Sequence, residues 1–128
     1  MVPEYWKNFI VSNLLVGKCC EIPEESDLSE LDGGDLKIFS EADIVEEANE
    51  FYPGLIVKKD GFIPVASCLQ GSGDPYFINV NDGANGCLYR IYHDAEMIDD
   101  DNYNLDDAVN IVLNSYTDLL KFVSVVGN

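Results

Sequence analysis

The stretch GFIPVASCLQGSGDPYFINVNDGANGCLYRIY, residues 61–92, decides the fold. It contains three short runs rich in apolar and aromatic residues, at 62–67, 76–80 and 87–92, and the turns between them are rich in Gly, Asn and Asp. A further apolar run at 55–57 is predicted as another short strand. Short strands at close spacing with glycine-rich turns are typical of an antiparallel meander. The sequence therefore predicts a central antiparallel sheet.

Helical patterns lie on both sides of this stretch. Residues 3–15 have apolar side chains at three- and four-residue spacing, which predicts an N-terminal helix. Ser40 and Asp43 form an S-x-x-D capping box, which predicts that a second helix begins there and continues until the YPG sequence at 52–54. Residues 36–39 are predicted as a strand.

The C-terminal third carries a second capping box and a segment that the pattern leaves open. Residues 109–113 are compatible with a strand or with the start of a helix. Ser115 and Asp118 repeat the S-x-x-D pattern, so Ser115 is predicted to cap a C-terminal helix. A chain of 128 residues is expected to form one domain. The fold class expected for residues 1–128 is therefore α+β, a central antiparallel sheet flanked by helices in a single domain.

The charge balance is the most informative part of the composition. Asp and Glu total 24, Lys and Arg total 7, and the formal net charge is −17. Such a surface repels nucleic acid and anionic lipid, and it attracts basic proteins, whose association it can accelerate by about 10- to 1000-fold. Solubility alone is the alternative reason for the charge. No apolar run reaches the length of a membrane span, and the first residues lack the pattern of a signal peptide, so a cytoplasmic protein is expected.

The sequence offers no motif for catalysis, a metal or a cofactor, so none of the three is expected. The four cysteines lack C-x-x-C spacing, and His93 is the single histidine. The acidic run at 99–104 lacks the Gly and Glu that a calcium loop needs. The GSGD sequence at 71–74 lacks the residues of a phosphate-binding loop. We interpret Gly71, Gly73 and Asp74 as a structural turn in which the glycines supply positive φ angles.

The order of short motifs along the chain resembles that of the SUKH superfamily, which includes a fungal regulator of glucan synthesis and many bacterial immunity proteins. The matching pieces are PEY at 3–5, YPG at 52–54, GFIPVA at 61–66, GSGDPYFI at 71–78, GCLY at 86–89, HD at 93–94 and VLNSYTDLL at 112–120. The resemblance implies an α+β fold without enzymatic activity. It also implies an immunity protein that binds a cognate toxin, frequently a nuclease, or alternatively a regulatory adaptor that binds an endogenous protein.

Two acidic, loop-like segments are the predicted contact sites for a basic protein partner. The first, at 21–35, contributes Glu24, Glu25 and Asp27, and the second, at 96–107, contributes Asp99, Asp100 and Asp101 with Tyr103 as an aromatic anchor. The alternative is that both segments are only solvated surface. The sequence does not indicate the oligomeric state.

Overall fold

Residues 1–29, 33–70 and 74–124 are described by the computed structural model, and within them six strands form one antiparallel sheet. The strands in chain order are β1 (Cys19–Ile22), β2 (Gly34–Ile38), β3 (Phe62–Cys68), β4 (Tyr76–Asn79), β5 (Leu88–Ile91), β6 (Met97–Asp99), β7 (Asn102–Tyr103) and β8 (Val109–Leu113). The six-stranded sheet has the order β1-β2-β3-β4-β5-β8, and β6 pairs with β7 in a separate hairpin inserted between β5 and β8. The predicted central antiparallel sheet is confirmed, and residues 109–113 form a strand.

The helices surround this sheet. The α-helices are α1 (Glu4–Ser12), α2 (Glu41–Glu50), α3 (Gly54–Val57) and α4 (Leu105–Ala108), and short 3-10 helices cover Glu24–Ser26, Lys58–Asp60, Val80–Asn85 and Tyr116–Lys121. The predicted Ser40 cap at the start of α2 is confirmed, because the Ser40 hydroxyl accepts a hydrogen bond from the Asp43 backbone N–H at 3.2 Å. None of the helices in the described residues is long and apolar enough to cross a membrane.

Both faces of the sheet are buried, and each face supports its own apolar core. Along β4, Tyr76 and Ile78 pack into one cluster while Phe77 packs into the other, as the alternation of side chains in a strand requires. The main core, on the side of α1 and α2, includes Trp6, Ile10, Leu36, Ile44, Leu88 and Leu119. The second core, under α3 and the β6–β7 hairpin, consists of Ile56, Val57, Phe62, Phe77, Ile91, Tyr103 and Ala108.

The two edge strands of the sheet are both hydrogen-bonded to neighbouring segments. The Ser124 N–H donates to the Cys19 carbonyl at 2.8 Å, and the Glu21 N–H donates to the Phe122 carbonyl at 2.9 Å, so the C-terminal segment pairs along β1. At the other edge, the Leu28 N–H donates to the Val112 carbonyl of β8 at 2.9 Å. The segment around Glu24 is therefore held against the sheet.

Two predictions about local structure outside the acidic segments were wrong. Residues 55–57, predicted as a strand, lie in α3, where the N–H groups of Ile56 and Val57 donate to the Pro53 carbonyl. A short apolar run does not distinguish a buried strand from a buried helical turn, and here the turn packs against α2 so closely that a Cβ on Gly54 would lie 3.0 Å from the Glu47 carbonyl oxygen.

The second wrong prediction concerns Ser115, which does not cap through its side chain. The Ser115 hydroxyl lies 2.7 Å from the Thr117 hydroxyl, and the Asp118 N–H donates instead to the Ser115 backbone carbonyl at 3.1 Å. The chain continues as the 3-10 helix Tyr116–Lys121, not as a capped α-helix. The predicted structural turn at Gly71 and Gly73 lies outside the described residues.

Candidate partner-binding surface

The second acidic segment forms a structured hairpin, where a loop was predicted, and Asp99 organises its turn. The Asp99 carboxylate accepts the Asp101 backbone N–H at 2.9 Å and the Asn102 side-chain amide at 2.8 and 3.0 Å. These hydrogen bonds, with a smaller contribution from the nearby Lys59 charge, hold the pKa of Asp99 below its usual range. Asp99 thus shapes the turn, while Asp100 and Asp101 project into solvent.

The hairpin is attached to the rest of the molecule at several points. The Tyr103 hydroxyl donates to the His93 carbonyl at 2.7 Å, the Asn104 N–H donates to the Glu96 carbonyl at 2.8 Å, and the Lys59 ammonium donates to the Asp101 carbonyl. The Tyr103 ring packs in the second core and is only 4% exposed. Burial, followed by the neighbouring Tyr52 hydroxyl, raises the pKa of Tyr103. Tyr103 therefore supports the hairpin from below and presents little surface to a partner.

A groove of about 590 Å³ lies between the end of α2 and this hairpin. Tyr52 and Met97, which are 60% and 39% exposed, provide aromatic and apolar surface within it. Asp99 and Asp100 provide carboxylates. The remaining lining residues are Ile56, His93 and Tyr103. The groove thus combines exposed apolar side chains with negative charge, which is the composition of many protein-binding surfaces.

His93 lies at one side of the groove and forms an ion pair with Asp74. The ring Nδ1 of His93 is 2.6 Å from the Asp74 Oδ1, and the His93 backbone N–H donates to the same oxygen. The side chain of Asp74 is buried, and its hydrogen bond to the ring raises the pKa of His93. Asp74, not the adjacent Asp94, therefore orients the His93 ring, because the end of β5 lies beside residue 74.

The first acidic segment, around the 3-10 helix Glu24–Ser26, offers a different surface. Glu24 and Glu25 are exposed, whereas Asp27 is only 6% exposed and accepts hydrogen bonds from the Ser29 N–H and hydroxyl at 2.8 and 2.5 Å. A hollow of about 600 Å³ there is lined by these three carboxylates and Leu28. Asp27 therefore stabilises the turn, and Glu24 and Glu25 remain available to a partner.

Carboxylates of both acidic segments act on the pKa of Tyr92. Burial is the main reason that the pKa of Tyr92 is raised; Arg90 opposes the rise, and the charges of Asp74, Asp27 and Asp107 add to it. Asp27 belongs to the first segment and Asp107 to the second, so carboxylates from both lie within electrostatic range of one hydroxyl group.

Sequence reasoning located the acidic side chains but missed the apolar ones beside them. Tyr52 was interpreted only as part of the helix stop, and Met97 and Ile98 were included in a polar segment; Ile98 is 71% exposed. The position of Tyr52 at the end of a predicted helix, directly before Pro53, was the signal that could have identified it as a surface aromatic residue.

Within residues 1–29, 33–70 and 74–124, no group of three or more His, Cys, Asp and Glu side chains is placed to hold a metal ion. Burial raises the pKa of the Cys20 thiol to about 11, so this cysteine behaves as a small core side chain. The Cys68 sulfur lies 3.5 Å from an Arg90 guanidinium nitrogen.

No protein-family model matches this chain, and neither a curated protein nor a solved structure is significantly similar to it. The resemblance to the SUKH superfamily thus remains a prediction that rests on the order of short motifs.

Proposed function

We propose that this protein is a non-catalytic binding module, an immunity protein that neutralises a cognate basic toxin in the cytoplasm of the bacterium that makes it. The observation that carries the proposal is the formal net charge of −17 on 128 residues. Self-repulsion of this size disfavours the compact state. Solubility alone does not require so large a charge, whereas binding to a basic partner benefits from it.

The negative sign of the net charge favours a toxin that acts on nucleic acid. An enzyme that grips phosphates presents Lys and Arg in its cleft, and an acidic protein complements such a surface directly. Long-range attraction also accelerates the encounter, which matters when an inhibitor must capture a toxin before it acts. The motif resemblance supports the same function and the absence of catalysis.

The exposed carboxylates are held on ordered backbone, which supports a binding role. Asp100 and Asp101 lie on a hairpin, and Glu24 and Glu25 lie on a 3-10 helix held beside β8. Charges on a preorganised backbone lose less conformational entropy on binding than charges on a disordered tail.

The test is capture followed by protection. The tagged protein is used to capture partners from the source cells, and any protein encoded beside its gene is expressed with and without it in a sensitive host. The proposal predicts a stoichiometric complex with a basic toxin and restored growth of the host on co-expression. Capture of an endogenous protein whose activity is unaffected would favour a regulatory adaptor instead, and growth inhibition that co-expression does not relieve would contradict the immunity role.

A further inference from the structure

We infer that the groove between Tyr52 and the β6–β7 hairpin binds an arginine or lysine side chain that an apolar residue flanks in the partner protein. This inference rests on the proposed function, because it assigns the contact surface for the basic partner. It assigns that surface to the groove and not to the Glu24–Asp27 hollow.

The apolar side of the groove provides the contact area. Tyr52 is 60% exposed and Met97 is 39% exposed, although both are side chains that folding normally covers. Tyrosine is enriched among residues that dominate binding energy, and its ring face attracts cations. A side chain that lies along this ring would cover apolar surface that is otherwise in contact with water.

The acidic side of the groove provides the charge. Asp100 is exposed on the hairpin turn, and Asp99 points its carboxylate into the turn, where it retains acceptor capacity beyond its three hydrogen bonds. No Lys or Arg is among the residues that line the groove. Two positive groups near these carboxylates are already engaged, because His93 pairs with Asp74 and Lys59 donates to the Asp101 carbonyl.

Together the two sides fit a long cationic side chain. Arg and Lys carry an apolar stem that can lie on Tyr52 and Met97 while the charged end reaches the carboxylates of Asp99 and Asp100. A carboxylate or phosphate group would be repelled at the same place. The hairpin is held by Tyr103 and Lys59 before any partner arrives, so the geometry does not have to form on binding.

The Glu24–Asp27 hollow is the weaker candidate. Glu24 and Glu25 carry the same type of charge as the aspartates of the hairpin. The apolar surface of that hollow comes from Leu28, however, whereas the exposed aromatic ring of Tyr52 lines the groove. The two places therefore provide a comparison, in which carboxylate charge can be removed beside the aromatic surface or away from it.

The test uses three short probes and four forms of the protein. The probes are acetyl-Leu-Arg-Leu-amide, the same peptide with norleucine in place of arginine, and acetyl-Gly-Arg-Gly-amide, titrated against isotopically labelled protein by NMR. The expected result is saturable shifts at groove residues for the first probe, with at least about fivefold weaker binding of the two others. Tyr52→Ser and Asp100→Asn should each weaken the first probe, while the Glu24→Gln, Glu25→Gln double variant should leave it unchanged.

Two results would overturn the groove assignment: shifts spread over the acidic surface, or equal weakening in the Glu24→Gln, Glu25→Gln variant. Thermal melting of each variant separates lost binding from lost folding, and both Tyr52 and Asp100 are exposed, so folding should be retained. If the peptide probes do not bind the groove but the protein still protects cells, only the groove assignment is rejected. Groove binding without any toxin partner would reject the immunity role alone.

Discussion

The Nδ1 atom of His93 lies 2.6 Å from Oδ1 of Asp74, and the backbone N–H of the same histidine donates to that oxygen at 2.9 Å. The carboxylate is buried while the imidazole is half exposed. The His93 carbonyl also accepts a hydrogen bond from the Tyr103 hydroxyl. The pair therefore connects Asp74 and the end of β5 to the hairpin. Changes at this pair should therefore be felt in the groove.

The first prediction concerns pH. The hydrogen bond to Asp74 raises the folded-state pKa of His93 above the unfolded value of 6.5. Partial burial lowers this pKa, and the neighbouring Asp94 charge raises it further. The extra stability is then fully present below the unfolded pKa and is lost as the pH rises through the folded pKa. Relative to His93→Gln, the wild type should be more stable by up to about 1 kcal/mol under mildly acidic conditions, a modest value because the ring is half exposed.

Urea unfolding of both proteins at about pH 5.5 and about pH 8.5 measures this difference. The comparison with the variant cancels the titration of the many surface carboxylates. A stability difference that is the same at both pH values would show that the ion pair does not contribute.

The second prediction concerns Asp74 itself. Asp74→Ala removes the acceptor for the His93 backbone N–H and should lower the free energy of unfolding by about 1–3 kcal/mol. Asp94→Asn is the control, because Asp94 is exposed and adjacent to the same histidine, and its cost should stay within about 0.5 kcal/mol. Denaturant titration gives both values, and similar costs for the two variants would rule out a special role for the buried carboxylate.

The third prediction separates the acids of the hairpin. Because Asp99 holds the turn, its replacement would alter the backbone as well as the charge, so the informative variant is Asp100→Asn with Asp101→Asn. We expect this variant to associate more slowly with the captured basic partner, with a difference that shrinks as salt rises. Stopped-flow or surface-binding kinetics at low and high salt measure the effect.

Its control is the Glu24→Gln, Glu25→Gln variant, which removes the same number of charges from the other acidic segment. A larger effect on the on-rate from the hairpin variant would place the partner near the hairpin. Equal on-rates for all three proteins at low salt would mean that neither segment steers the partner.

The fourth prediction concerns Gly61, which begins the turn into β3 at φ +92°. A Cβ at this position would lie 2.6 Å from both the Asn79 Oδ1 and the Asn81 Nδ2. Gly61→Ala should therefore lower the free energy of unfolding by about 1–3 kcal/mol through backbone strain and displaced side chains. In Gly17→Ala, at φ +77° with open space around the new Cβ, the strain acts alone, so thermal or denaturant unfolding should reveal a smaller loss.

Local signals were sufficient to predict strands β2 to β5 and one cap. Strand β4 alternates between two buried faces, and Ser40 bonds Asp43 within a single turn, so neighbouring residues determine both features. The helical turn at Gly54 was missed because its packing against Glu47 decides its conformation. At Ser115 the hydroxyl contacts Thr117 and not the Asp118 N–H, a choice between two local partners that the S-x-x-D pattern does not distinguish.

The candidate surface was predictable only in part, because its components come from distant segments. Charge counting identified the carboxylates, but only the structure shows that Asp27 and Asp99 are hydrogen-bonded within turns. Tyr52 joins the groove because α3 and the hairpin share the second core, and Tyr103 is buried for the same reason. Long-range packing of this kind leaves no periodic trace in the sequence.

The division of the apolar interior between the two faces of the sheet affects how this protein can diverge. The groove stands on Ile56, Phe77 and Tyr103, whereas the main core depends on other side chains such as Trp6 and Leu36. Substitutions in separate clusters combine nearly additively, so recognition could be altered over generations while the larger core retains most of the folding energy. A lineage whose binding partner changed could thus accumulate substitutions in the second core and keep the main core unchanged.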